Sequence, residues 1–187
     1  MVLNERARFE LAVRLQSEGA PLGDIYAFVS GLYFRGKMAY ATAFAAPPDG
    51  VPGALVITPG RGLLPPETCI TVEELRAIAA VPIDLADARY RAALERDALV
   101  LNEAAGTECD IVLLGSVATT NYIEPLLRIF GERLLFPLEF VGRGDMSRGG
   151  LMLRCARAGQ QLTYVPVQST TRHGPRPAKL PKMQWKQ

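Results

Sequence analysis

Apolar positions in the first part of the chain recur at helical spacing. Phe9, Ala12 and Val13, with Gln16 completing the i, i+3, i+4, i+7 series and Leu11 and Leu15 widening the stripe, predict an amphipathic helix that Gly19 closes. A second short helix is expected from near Pro21 and a third over about residues 33–45, with Pro47, Pro48, Asp49 and Gly50 ending the helical block. Residues 1–46 thus read as a helical segment packed on the rest of the chain.

From residue 53 onward, short apolar runs alternate with helical periods. Residues 53–58 (GALVIT) and 110–115 (DIVLLG) have the β-branched, apolar composition of strands buried on both faces, and 133–137 and 161–167 are expected to be two more. Between them Thr71 and Glu74 form a capping box. Asp87 caps a longer helix whose stripe is Tyr90, Leu94, Ala98, Leu101 and Ala105, stopped by Gly106. Ile123, Leu126, Leu127 and Phe130 predict another helix, with Pro125 expected in its first turn, where amides lack intrahelical partners; a last helix is expected over 145–158. Such alternation argues for crossovers between parallel strands. The expected fold is α/β, with a small, mainly parallel sheet of about four strands flanked by helices. One domain is expected over 1–167, followed by an extended tail over 168–187.

The chain has 187 residues, 49% hydrophobic and 21% charged, enough for one good core and far from the composition of disordered chains. Cys69, Cys109 and Cys155 are odd in number and widely spaced, which is not a disulfide framework, and they are expected to be small core residues. No run approaches the ~20 apolar residues of a spanning helix. A reducing, cytoplasmic setting without a membrane partner is expected. Net charge is +2, yet Arg172, Arg176, Lys179, Lys182 and Lys186 in the tail leave sixteen basic against 19 acidic residues elsewhere. The positive surplus therefore sits in the tail. That arm, with its prolines and Trp185, can track a phosphate backbone or join a second copy of the chain in a homo-oligomer.

Candidate chemistry gathers in three loops that each follow an apolar strand. They are Pro59-Gly60-Arg61-Gly62, then Gly115-Ser116-Val117-Ala118-Thr119-Thr120, then Gly142-Arg143-Gly144-Asp145 through Arg148-Gly149-Gly150. If the strands are parallel, all three emerge at the carboxyl edge of one sheet, where open α/β sheets bind ligands. Glycines let the backbone approach an anion, and Arg61, Arg143 and Arg148 supply planar donors for carboxylate or phosphate oxygens. Ser116 and Thr119 would add hydrogen bonds. Asp145 stands where an N-cap belongs, or else serves as a general acid, base or hydroxyl acceptor. The segment around Tyr33, Arg35 and Lys37 mixes rings with cations, and its functional reading is stacking and charge beside the Gly60 loop. No nucleotide-triphosphate or dinucleotide fingerprint is complete. With His173 the only histidine and no paired cysteines, no metal site and no cofactor are expected.

The order Leu32-Tyr33, Lys37, Tyr40-Ala41, Pro59-Gly60-x-Gly62-Leu63-Leu64-x-Pro66, then Leu114-Gly115, Tyr122, Leu126, Phe136-Pro137 and Gly142-x-Gly144 is similar to uncharacterised bacterial and phage domains labelled YaaA-like. It spans about residues 31–150. The family opens with a strand and a turn containing Cys-Lys, whereas this chain opens with helices. The resemblance implies an α/β fold and a link to nucleic acid, and carries over no catalytic residue.

These patterns lead to an expected function: binding a phosphate-bearing ligand, a nucleotide or nucleic acid, at the loop edge. Two alternatives stand beside it. One is an enzyme acting on a nucleoside-type N-glycosidic substrate with Asp145 as acid or base; the other is a non-catalytic assembly protein.

Overall fold

The apolar stripes of the N-terminal segment fold as three helices, α1 (Glu10–Ser17), α2 (Leu22–Val29) and α3 (Gly31–Phe44). The computed structural model describes residues 2–116, 120–169 and 174–180. Leu15, Leu22, Ile25 and Phe34 from these helices meet Ile70, Leu75 and Ile78 in one buried cluster. Leu75 and Ile78 lie on α4 (Val72–Ala79), whose start is the expected capping box: Glu74 N donates to Thr71 Oγ1 at 3.2 Å and Thr71 N to Glu74 Oε2 at 2.8 Å. A strand pair not expected from the pattern, β1 (Ala20–Pro21) with β4 (Cys69–Ile70), runs antiparallel beside this cluster.

The largest departure from expectation concerns the first apolar run. Its strand, β2 (Val56–Thr58), does not join the later strands but pairs antiparallel with β3 (Gly62–Leu64) in a hairpin of its own. The local cause is the Pro-Gly pair between them. Arg61 N donates to Thr58 O at 3.2 Å, and Gly60 has φ of +75°. Proline second and a left-handed glycine third make a type II turn, which reverses the chain instead of leading into a crossover helix.

The remaining strands, β5 (Ile111–Val112), β6 (Leu134–Pro137) and β7 (Tyr164–Pro166), form a three-stranded sheet in that order. Only β5 and β6 are parallel; β7 returns antiparallel. A mixed α/β fold is therefore present, but among the described residues the four-stranded, mainly parallel sheet is replaced by one three-stranded sheet and two two-stranded ones. The four apolar runs span five to seven residues, yet each pairs over only two to four, because pairing needs a neighbour in register and not apolar composition alone.

Side-chain alternation along this sheet builds two layers of packing. Leu134, Phe136, Val165 and Val167 face α5 (Ala88–Ala105) and α6 (Thr120–Phe130) through Tyr90, Leu94, Ile123 and Leu126. Leu114, Leu162 and Tyr164 join a separate cluster with Tyr40 of α3 and with Met152 and Cys155 of α7 (Asp145–Ala158). Asp87 caps α5 as expected, accepting from Arg89 N at 2.9 Å. Helix α6 starts earlier than expected, so Pro125 sits in its second turn and the Asn121 carbonyl loses its i+4 amide partner. Among the cysteines, Cys155 is buried, whereas Cys69 is exposed and Cys109 half-buried; all three are free. Cys69 lies at the short β1–β4 pair, too thin a layer to cover it.

Candidate functional site

Helices α3 and α7 cross backbone against backbone, and two glycines permit it. A Cβ on Gly36 would lie 2.6 Å from Gly149 O, and a Cβ on Gly149 would lie 2.7 Å from Leu32 O and 2.8 Å from Tyr33 Cα. With backbone against backbone, residues next to these glycines or one turn before them are brought together. They are Tyr33 and Lys37 on α3 with Asp145 and Arg148 on α7.

Arg148 is 8% exposed, and its guanidinium donates to Phe140 O through Nε at 3.3 Å and Nη2 at 3.2 Å. It also lies over the Phe140 ring, 5.5 Å from the centroid, and its Nη1 stands 3.6 Å from Asp145 Oδ1. The Tyr33 hydroxyl donates to Leu114 O at 3.4 Å, just past the end of β5. Burial pushes the Tyr33 phenol up to about 12, with the adjacent Arg148 guanidinium pulling in the other direction. Lys37 Nζ sits 4.1 Å from the centroid of the Tyr33 ring. Burial lowers the Lys37 pKa, the Asp145 carboxylate opposes that shift and the Arg148 charge adds to it. Among the described residues Lys37 Nζ has no hydrogen-bond acceptor and no carboxylate within ion-pair distance.

Because β5 and β6 are parallel, the loops that leave them share one edge. Two of the three predicted loops therefore come to the same side. Gly115 and Ser116 lie beside Tyr122, whose hydroxyl donates to Ser116 O. Gly142, Arg143 and Gly144 lead from β6 into α7. Thr119 falls outside the described residues, as do His173 and Trp185.

The Gly60-Arg61-Gly62 loop belongs to the β2–β3 hairpin and not to that sheet. Arg61 Nη1 pairs with Glu74 Oε1 at 2.5 Å, and a Cβ on Gly60 or Gly62 would meet Val81 or the Asp97 carboxylate of the neighbouring segments. A rim formed by all three loops at one sheet edge is thus replaced by a two-loop edge. Arg143 is also committed: Nε donates to Glu139 O at 2.9 Å, and Nη1 to Ser147 Oγ at 3.3 Å and Ala178 O at 3.5 Å. It staples the described part of the tail, whose Pro175 carbonyl crosses Gly142, onto the start of α7.

Asp145 is not the N-cap. Gly144 holds that position without a side chain, and Asp145 is the first helical residue, where its carboxylate favours the helix dipole and faces Arg148. Arg35 is exposed and points away from Lys37, since two residues on a helix differ by about 200° in direction. It lines a groove of about 420 Å³ with Pro21, Asp24, Met38 and Pro66. The Tyr33–Lys37 face accordingly meets α7 and the end of β5 and not the Gly60 turn.

A buried polar group lies close to the same edge. Tyr90 is fully buried on α5, and among the described residues its hydroxyl has no hydrogen-bond partner. Burial, with the Tyr122 phenol nearby, pushes its pKa up to about 12. Tyr90 was read from sequence only as part of an apolar stripe. Nothing in its spacing marks it as different from the leucines around it.

Among the described residues no helix is long and apolar enough to cross a membrane, and no group of three metal-ligating side chains gathers. Comparison with protein-family models, with curated proteins and with solved structures finds no match for this chain.

Proposed function

We propose that this protein binds a phosphate-bearing small molecule, of which a nucleotide is the leading class, at the carboxyl end of β5 between α3 and α7. The single observation that carries the reading is Lys37: a half-buried ammonium with no acceptor among the described residues, beside the buried Arg148 and facing a single carboxylate, Asp145. Removing an ammonium from water without an acceptor is unfavourable, and an arriving anion offsets that penalty. Two cations against one carboxylate leave the cluster with a positive balance. The Tyr33 and Tyr122 hydroxyls, donating to Leu114 O and Ser116 O, hold the backbone around Gly115 at the same edge.

Isothermal titration of the full chain with adenosine monophosphate, and in parallel with an unphosphorylated oligonucleotide, tests the reading. Saturable binding of the nucleotide, weakened roughly 10–100-fold in Lys37→Gln, is the expected result, the range for one charge-assisted hydrogen bond. Equal binding by the variant, or binding of the oligonucleotide alone, overturns it.

A second reading gives Asp145 the role of acid or base on a nucleoside-type N-glycosidic bond. Its support is position: the Asp145 side chain is 64% exposed at the rim while still facing Arg148. Nucleobase release that Asp145→Asn abolishes, with nucleotide binding retained, would favour it.

A further inference from the structure

The choice of lysine at position 37 runs against the habit of this chain. The sequence has 17 arginines and four lysines, and Lys179, Lys182 and Lys186 are all in the tail. Lys37 is thus the one lysine in the first 178 residues, and it occupies the half-buried place between α3 and α7. Arginine is better suited to a fixed cation there, because its planar fork makes paired hydrogen bonds and never loses its charge; one helix away, Arg148 uses Nε and Nη2 together on the Phe140 carbonyl. What lysine has and arginine lacks is an amine that can shed its proton and attack carbon.

We propose that Lys37 is a nucleophilic amine that forms an imine with an aldehyde or ketone carrying a phosphate group. The claim rests on the phosphate reading above for the second half of its ligand but not for the chemistry of the amine. Its supports are geometric. Nζ is held over the Tyr33 ring, 4.1 Å from its centroid, and no described residue accepts a hydrogen bond from it. Arg148 is anchored to Phe140 O and keeps a fixed positive charge beside it; burial is the main influence favouring the neutral amine, the Asp145 carboxylate opposes it and the Arg148 charge adds to it. In the reaction the ammonium first gives one proton to solvent. The nitrogen lone pair then attacks the carbonyl carbon, a C–N bond replaces the C–O π bond, and the oxygen leaves as water with both remaining amine hydrogens. No oxidant or reductant is needed.

The test is reductive trapping on the full chain. Glycolaldehyde phosphate and unphosphorylated glycolaldehyde are supplied separately, each at limiting concentration with cyanoborohydride at neutral pH, and the modified lysines are located by peptide mass spectrometry. Both halves of the proposal hold if Lys37 is alkylated at least about tenfold faster than any tail lysine and the phosphorylated aldehyde is the faster reagent, the behaviour of an activated amine next to an anion site. Labelling of Lys37 at equal rates by the two aldehydes, still ahead of the tail, supports the nucleophile and overturns the phosphate half. Labelling confined to Lys179, Lys182 and Lys186, with position 37 unmodified, overturns the proposal, while nucleotide titration still decides the binding reading. Lys37→Arg, which keeps the charge, should lose the position-37 adduct and retain its unfolding temperature.

Discussion

Gly36 and Gly149 meet backbone to backbone: a Cβ on Gly36 would stand 2.8 Å from the Cα of Gly149. No side chain of either helix separates α3 from α7 at this point, and the whole Tyr33–Lys37–Arg148 arrangement depends on it. Gly149→Ala should therefore cost about 1–3 kcal/mol by overpacking, lowering Tm by roughly 2–12 °C. It should also weaken nucleotide binding without touching any charged group. Calorimetric unfolding and titration on the same sample check both outcomes.

Lys37 sits in the fold at a cost that pH can relieve. Its folded pKa is lowered from 10.5, mainly by burial, so the unfolded chain binds more protons at this group than the native chain does. Stability contributed by this position therefore rises as pH increases through the folded pKa toward 10.5. Lys37→Met should be more stable than the native chain at neutral pH, and that advantage should shrink as the solution is made alkaline. Reading the difference in Tm between the two proteins, point by point in pH, separates this effect from tyrosine ionisation, which both share.

The tyrosines act in the opposite direction. Tyr33 and Tyr90 are pushed up to about 12 from 10.0, and Tyr40 is raised as well, all mainly by burial. A raised folded pKa means that the native state holds its proton longer, so the stabilisation is whole below 10.0 and is lost as pH climbs toward 12. Absorbance at 295 nm should show fewer tyrosinates in the native protein than in guanidinium at about pH 11, with the missing fraction appearing on unfolding.

Tyr40 links α3 to the last strand. Its hydroxyl accepts from Leu162 N at 2.8 Å and lies 2.8 Å from the Tyr164 hydroxyl. Tyr40→Phe leaves the Leu162 amide without its acceptor in a buried place, and should cost about 1–3 kcal/mol. Urea unfolding with an unchanged m-value is the expected signature.

The two arginines that were expected to share a rim should separate in mutation. Arg61→Ala breaks an ion pair whose partners are each more than a third exposed, so it should cost less than about 1 kcal/mol and leave nucleotide binding intact. Arg148→Ala removes both guanidinium donors from the Phe140 carbonyl, leaving it the Arg143 amide alone, and empties a buried volume, and should cost about 2–4 kcal/mol. If Arg61→Ala abolishes nucleotide binding, the assignment of the site to the β5 edge is wrong.

Local chemistry was legible in the sequence wherever neighbours along the chain decide it. The Thr71–Glu74 box, the Asp87 cap, the Gly106 stop and the helical stripe through Tyr90, Leu94 and Ala98 all form as read, because each involves residues within one or two turns. The glycine loops after β5 and β6 were also visible, together with Tyr33, Lys37, Asp145 and Arg148 as separate candidates. Strand partners were not. Val56 pairs with Leu64 and Leu134 with Ile111, and apolar composition is the same for a hairpin strand as for a parallel one.

Which cations remain available was decided only in three dimensions. An arginine looks identical in sequence whether a carboxylate thirteen residues away takes it, as Glu74 takes Arg61, or carbonyls hold it, as Glu139 and Phe140 hold Arg143 and Arg148. Lys37 keeps its ammonium free of acceptors among the described residues because two glycines 113 positions apart let α3 and α7 close on each other around it. Helix propensity and capping are short-range and live in the sequence itself. Electrostatic partnership depends on distance in space, and only the packed chain sets that distance.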